Sequence, residues 1–248
     1  MKTIGVLGGM GPAAAADFCA RIAAGHGALR DQDHPPCILY SATQVPDRTA
    51  FLLGHGPDPT PELVAAARLI EAAGADFIVM PCNSAHAFLV PMRAAVAIPI
   101  VDMISLTAAA VARLVPQSVR IGVLAASGTV EVGLYSQPLR DHGRQPLYPK
   151  AVVQEEVMAA INAVKAGGSA AGHAPLPGAS DPRLIAAAVH LAKRGAECII
   201  MGCTEVPLAL AAEDSPVVSI DGNQVLVDTT LALAIGRLEF EEIDHAVR

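Results

Sequence analysis

Two stretches of the sequence repeat one pattern and align without a gap: LVAAARLIEAAGADFIVMPCNSAH (Leu63–His86) and LIAAAVHLAKRGAECIIMGCTEVP (Leu184–Pro207). Each stretch has the pattern of an alanine-rich helix, a glycine turn and a short apolar strand. Cys82 and Cys203 fall at the same position of the two copies. Because the chain contains only five cysteines, composition alone does not explain this pairing. We interpret the pattern as an internal duplication.

A second match lies upstream of each copy. Ile4–Leu7 is followed by Gly-Gly-Met-Gly, and Ile121–Leu124 is followed by Ala-Ala-Ser-Gly. Short apolar runs of this kind are typical of buried parallel strands. Their alternation with helices predicts an α/β fold of two related halves, each a parallel sheet covered by helices on both faces.

Several local signals place further elements. Thr60-Pro61-Glu62 predicts a helix start, with Thr60 as the N-cap, and Gly74 predicts its end. A helix is predicted over 152–164, and short strands over 99–101 and 217–220. The Gly-, Pro- and Ser-rich stretch 166–182 is either a lid beside the site or a surface loop.

Composition excludes several classes of function. The net charge is −7 and the sequence has no Lys/Arg-rich run, so we expect no nucleic-acid partner. No apolar stretch approaches the length of a membrane span, and the apolar start is too short for a signal peptide. We therefore expect a cytoplasmic protein with reduced thiols and no membrane partner.

The paired cysteines are the main chemical signal. Each follows a predicted strand and precedes a predicted helix start, where unpaired N–H groups lower a thiol pKa. Around a pseudo-twofold axis the thiols would face each other, a geometry that suits proton removal from one face of a carbon and delivery to the other. Neighbouring groups that can hold a carboxylate or cap a helix are Asn83, Ser84 and Thr204. Cys19, Cys37 and Cys198 are expected to pack.

Four ordered motifs carry a family resemblance: IGVLGGMGP (Ile4–Pro12), TQVPDRTA (Thr43–Ala50), MPCNSAH (Met80–His86) and GCTEVP (Gly202–Pro207). They resemble the aspartate/glutamate racemase family, and within it the aspartate racemases. The resemblance implies two similar three-layer α/β/α domains, here 1–100 plus 212–248 and 101–211, with the active site in the cleft between them. It also implies racemisation without pyridoxal or another cofactor, and without a metal.

The same resemblance implies roles for individual residues. Cys82 and Cys203 would be the two acid/base catalysts. Arg48 and Lys165 would bind substrate carboxylates, whereas the sequence alone favours a surface charge for Arg48 and a helix C-terminal cation for Lys165. The remaining expected contacts are Met10, Gly11, Asn83, Ser84 and Thr204 for substrate, with Asp47 and Glu205 supporting the site.

The implied substrate is a small amino acid, most directly aspartate, and the implied assembly is a homodimer. Glutamate or a broader range of amino acids remains an alternative, because one methylene changes binding by only about 1–3 kcal/mol. Two features depart from aspartate racemases: Ser84 replaces the usual Thr, and the loop after Lys165 is long.

Five rival interpretations remain open. A single-thiol decarboxylase, lyase or isomerase would need one of the two cysteines. A thiol hydrolase would use Cys82 with His86, and a zinc site would add Cys203. A dinucleotide-binding protein would use the partial fingerprint of Gly9, Gly11 and Ala14, with Asp31 or Asp33 on the ribose. A non-catalytic ligand-binding protein would need neither thiol.

Overall fold

The computed structural model describes residues 1–167 and 180–246. Within them, strands and helices alternate, as the sequence predicts. The strands are β1 (Ile4–Gly8), β2 (Cys37–Ser41), β3 (Phe77–Val79), β4 (Arg120–Leu124), β5 (Gln145–Leu147), β6 (Cys198–Met201) and β7 (Val218–Asp221). The α-helices are α1 (Pro12–His26), α2 (Arg48–Leu52), α3 (Thr60–Ala72), α4 (Leu89–Arg93), α5 (Met103–Leu114), α6 (Ser127–Glu131), α7 (Ser136–Asp141), α8 (Ala151–Lys165), α9 (Pro182–Lys193) and α10 (Gly222–Ala234).

The strands form two parallel sheets with equivalent strand order. The first has the order β2-β1-β3, and a parallel bridge from Ile78 to Ile100 extends it beyond β3. The second has the order β5-β4-β6-β7. The predicted fold of two similar parallel α/β domains is therefore confirmed.

The duplicated stretches also agree in backbone detail. Gly74 after α3 and Gly195 after α9 both have φ +93°, a conformation that a Cβ disfavours. One boundary shifts by a residue: α3 begins at Thr60 itself, and Asp58 Oδ1 accepts a hydrogen bond from the Thr60 N–H at 2.8 Å. Thr60 is thus the first helical residue and not the N-cap.

The buried apolar side chains form three clusters. One belongs to the first sheet and includes Leu63, Ile70 and Ile78. Another belongs to the second sheet and includes Leu184 and Ile199. The third contains residues of β1, β3, β4 and β6 together with α5 and α10, so it is shared by both sheets.

The predicted domain boundary at 212 needs correction. β7 pairs with β6 in the second sheet, with Cys198 opposite Val218. Only α10 and the chain after it turn back toward the first sheet, where α10 packs on α1 and Lys2 N–H donates to Ala234 O at 2.8 Å. Residues 218–221 therefore lie with the second sheet, because their strand completes it.

The segment 168–179, which includes most of the predicted lid or surface loop, lies outside the described residues. In the described part, none of the helices combines the length and the apolar character that crossing a bilayer requires.

Gly5 and Gly122 occupy equivalent positions of the repeat, but their packing predicts different losses of stability when each is changed to alanine. A Cβ at Gly5 would collide with the Ile70 side chain and lie 2.8 Å from Ala75 Cβ, whereas at Gly122 the nearest atoms are 3.1 Å away or more. We expect Gly5→Ala to lower the free energy of unfolding by about 1–3 kcal/mol. Gly122→Ala, the matched control, should cost less. Urea unfolding of both variants measures this, and equal losses would contradict the packing difference.

Candidate active site

Loops from both halves meet at the carboxyl ends of β1, β3 and β6, the edge where open α/β sheets bind ligands. Among the described residues, the hydrogen bonds that cross between the halves include three at this edge. Thr204 Oγ1 donates to Pro81 O at 3.2 Å, and Gly11 N donates to Glu205 Oε1 at 3.2 Å. The third bond joins the Tyr135 hydroxyl to the Asn83 side chain. The first bond joins the loops that carry the two repeat-equivalent cysteines.

Cys82 lies directly before a 3₁₀ helix that spans Asn83–Phe88. Its side chain is only 4% exposed, and its Sγ lies 3.7 Å from the Ser84 hydroxyl oxygen. The turn therefore places a thiol and a hydroxyl together. The predicted helix start after this cysteine is present as a short 3₁₀ helix.

Cys203 is followed by a series of turns, so the expected helix start is wrong here. An α-helix from this point would need the residue 207 N–H to donate to Cys203 O, and Pro207 has no N–H. The Cys203 thiol instead donates to Glu205 Oε2 at 2.9 Å. Burial, reinforced by the negative Glu205, raises the Cys203 pKa well above its ordinary value, opposite to the lowering expected from sequence.

Glu205 is the buried carboxylate at the centre of the site, 2% exposed. Besides the Cys203 thiol and the Gly11 N–H, it accepts a hydrogen bond from Thr204 Oγ1 at 3.4 Å. A Cβ at Gly11 would lie 2.9 Å from Glu205 Oε1, so glycine is what allows this approach. Glu205, which the sequence predicts to support the site, lies against the Cys203 thiol.

Lys165 supplies positive charge beside these groups. It is the last residue of α8, and its Cγ would lie 3.7 Å from a Cβ at Gly11. Burial opposes its charge, but Coulombic attraction to the ionised form of Cys203, to Glu205 and to the ionised form of Cys82 raises its pKa above the ordinary value. Lys165 is therefore a cation near both thiols.

Arg48 is buried, and part of its guanidinium is hydrogen-bonded to backbone carbonyls. Its guanidinium donates to Pro46 O at 2.9 Å and to Met10 O at 3.2 Å. Its buried Nε has no hydrogen-bond partner among the described residues. Asp47 caps α2, and although burial works against its charge, the Ala50 N–H and the charges of Arg48 and Lys165 lower its pKa.

Asn83 has a partner that sequence analysis missed. The hydroxyl of Tyr135, a fully buried residue between α6 and α7, donates to Asn83 Oδ1 at 2.6 Å. Asn83 is 2% exposed, and its Nδ2 has no partner in the described part of the chain. Tyr135 thereby fixes the amide with its N–H donors free for another acceptor. No local motif marks a tyrosine so distant in sequence.

His86 holds backbone and does not contact the Cys82 thiol by hydrogen bond. Its Nδ1 lies 2.8 Å from Cys82 O, and Met103 N donates to its Nε2 at 3.2 Å. Because a carbonyl only accepts and an amide N–H only donates, the ring is the neutral Nδ1–H tautomer. Burial lowers its pKa, in agreement with a neutral ring.

A family comparison adds an independent finding. The family model described as "Asp/Glu/Hydantoin racemase" matches residues 7–233. The chain belongs to this racemase family. Racemases are isomerases, so this is an isomerase family.

Individual relatives of this racemase-family chain cover nearly its whole length. It is similar to a broad-specificity amino-acid racemase of Bacillus subtilis, at 25% identity over 92% of this chain and 96% of that protein. Among solved structures it resembles the Picrophilus torridus aspartate racemase, with a TM-score of 0.81 at 25% identity over 98% of both chains. An aspartate racemase homologue from Pyrococcus horikoshii has a TM-score of 0.71 at 23% identity, covering 95% and 100%, and shows the shared fold.

The geometry argues against the thiol-hydrolase, zinc-site and dinucleotide-binding interpretations. Both His86 nitrogens bind backbone, so His86 neither activates the Cys82 thiol nor ligates zinc. Among the described residues, no group of three His, Cys, Asp or Glu side chains could hold a metal ion.

The dinucleotide interpretation fails on position. The Gly11 N–H already binds Glu205. Asp31 and Asp33 precede β2, whereas a ribose-binding acid should follow it. Asp33 also pairs with Arg30 at 2.6 Å.

The His86 tautomer can be tested by NMR with ¹⁵N-labelled histidine. We expect His86 to remain neutral as the pH falls through 6.5, the value of a free histidine, because burial lowers its pKa. The unfolded chain then binds a proton that the folded chain does not, so stability falls below about pH 6.5. Titration of His86 at or above that pH, or an Nε2–H signal, would contradict this assignment.

Proposed function

We propose that this chain is an amino-acid racemase that interconverts L- and D-aspartate by a two-base mechanism with Cys82 and Cys203, without pyridoxal. The observation that carries the proposal is the hydrogen bond between Thr204 and Pro81, which joins the two cysteine turns. The response of Lys165 to the charge of both thiols supports the same convergence.

In the proposed reaction, one sulfur removes a proton and the other returns one. The thiolate of one cysteine takes the α-proton, and the C–H bonding electrons remain on carbon as a carbanion. The carbanion then takes the proton of the opposite thiol, which breaks the S–H bond and inverts the centre. The net change is one S–H bond exchanged between the two cysteines, and the reverse reaction uses them in opposite roles.

The surroundings of each sulfur suggest its starting role. Glu205 accepts the Cys203 S–H bond, and the raised pKa keeps this thiol protonated. We therefore assign Cys203 as the acid and Cys82 as the base of the first half-reaction. Which enantiomer reacts when Cys82 is the base depends on which face of the substrate α-carbon each sulfur contacts.

Substrate carboxylates would take the buried donors that lack partners. Asn83 Nδ2 and Arg48 Nε are such donors, and Lys165 adds a full charge nearby. Fixed donors and cations of this kind also stabilise the carbanion, whose charge spreads onto the α-carboxylate. Two cations, Arg48 and Lys165, match a dicarboxylate such as aspartate.

The names of the relatives support this class of substrate without fixing its length. They include an aspartate racemase and a broad-specificity amino-acid racemase. Glutamate or a wider range of amino acids is the alternative within the same mechanism. Assembly as a homodimer, which the family resemblance implies, is part of the proposal and is checked by light scattering.

Removing either thiol should stop racemisation. We expect Cys82→Ser and Cys203→Ser each to lower kcat by about 100- to 10,000-fold, because each removes the acid/base group from one face. Chiral chromatography without added pyridoxal measures the loss. In D₂O each variant should retain α-proton exchange with only one enantiomer.

Two outcomes would contradict this mechanism. Full racemisation by either variant would exclude the two-base assignment. Turnover that survives Cys203→Ser but not Cys82→Ser, or the reverse, would favour the single-thiol decarboxylase or isomerase alternative. Thermal melting of both variants controls for loss of folding.

Arg48→Leu should discriminate between substrate classes. We expect it to raise KM for aspartate by about 10- to 100-fold, the value of one charge-assisted hydrogen bond, with a smaller effect on alanine. Because Arg48 also donates hydrogen bonds to Met10 O and Pro46 O, Arg48→Lys serves as the matched control that keeps the charge. An equal loss for both substrates would assign Arg48 to the α-carboxylate or to structure.

A further inference from the structure

We infer that Cys19 and Cys37 form a redox-active dithiol that hydroperoxides convert into a disulfide, outside the proposed racemase site. The sequence predicts that both pack, and Cys19 does lie half-buried against the shared apolar cluster, whereas Cys37 is exposed. The inference does not depend on the proposed function.

The Cys37 side chain lies on the side of the first sheet that α1 covers. A Cβ at Gly8 would lie 2.5 Å from Ala15 Cβ and 3.1 Å from Leu39 Cδ1, so α1 and the Leu39 side chain share one side of the sheet. Cys37 lies two residues before Leu39 in β2, and side chains two apart share a face. It therefore faces α1.

The same reasoning places Cys19 beside it. Cys19 lies four residues after Ala15, about one turn along the same face of α1. Since α1 runs back across the sheet after β1, this step of about 6 Å matches the step of about 6.6 Å from Leu39 to Cys37. The two thiols thus come together where α1 crosses the edge strand.

The interaction between the Cys19 and Cys37 thiols shifts their pKa values in opposite directions. A hydrogen bond from the Cys37 thiol lowers the Cys19 pKa to about 7, against the effect of burial. The same bond raises the Cys37 pKa. At pH 7 a pKa of about 7 leaves roughly half of Cys19 as the thiolate, so Cys19 is the nucleophile and Cys37 is the protonated resolving thiol.

The other cysteines are less accessible to an oxidant. Cys82, Cys203 and Cys198 are all buried. Burial also raises the pKa of Cys203 and of Cys198. An oxidant in solution should therefore meet the dithiol before it meets the proposed catalytic thiols.

The chemical step uses one equivalent of hydroperoxide. The Cys19 thiolate attacks the terminal peroxide oxygen, the O–O bond breaks, and the leaving alkoxide or hydroxide takes up a proton. Cys37 sulfur then attacks the Cys19 sulfenic acid and displaces its oxygen as water, with the proton of the Cys37 thiol. Two thiols are oxidised to one disulfide while the peroxide is reduced to water and an alcohol, or to two waters.

Peptide mapping of the full chain tests the inference with hydrogen peroxide as the probe. After one equivalent, two of the five thiols should be lost, and tryptic digestion without reductant should link peptide 3–21 to peptide 31–48. A thiol reductant should restore both peptides. Cys198 serves as the internal control and should remain free.

Single variants test the assigned order. In Cys37→Ser, whose hydroxyl can still donate to Cys19, dimedone should label a sulfenic acid at Cys19. In Cys19→Ser, Cys37 should remain unlabelled at the same peroxide dose. Circular dichroism controls for folding, and both residues are outside the proposed site.

Three results would overturn the inference. The first is a disulfide between Cys37 residues of two chains, seen as a dimer on a non-reducing gel. The second is oxidation of Cys82 or Cys203 before the dithiol. The third is dimedone labelling of Cys37 in Cys19→Ser, which would show that the contact does not set the order.

Discussion

The site depends on the contact between two loops that are distant in sequence. Thr204 Oγ1 donates to Pro81 O, and Tyr135 donates to Asn83 Oδ1, so each half of the chain holds the cysteine turn of the other. Catalytic groups must be held to within about half an ångström to act together. These two bonds, both buried, supply that constraint at the residues adjoining Cys82 and in the turn of Cys203.

The charges of the site are balanced within a buried region. A buried carboxylate is costly unless hydrogen bonds and opposite charge compensate it. Glu205 receives donors from Gly11, Cys203 and Thr204, and Lys165 lies nearby with a raised pKa. Under the proposed function, an anionic substrate would meet groups that are already oriented, and the donors without partners on Arg48 and Asn83 would receive its oxygens.

The duplication predicts more than local propensity does. It places Cys82 and Cys203 after equivalent strands, and the strand order confirms it. The predicted helix after Cys203 is wrong because Pro207 cannot donate its first backbone bond, a signal present in the sequence. The contacts of Tyr135 with Asn83, and of Cys19 with Cys37, depend on how separate segments pack, so no spacing rule reveals them.

The shared apolar cluster has a consequence for the history of the fold. A single half carrying β1, β3 and their helices would leave its members of this cluster without the partners that β4, β6 and α5 supply. Contiguous exposed apolar patches drive association in water. An ancestral half-length chain would therefore have been stable only as a symmetric pair, and gene fusion would have made that pairing permanent while freeing its two copies to diverge.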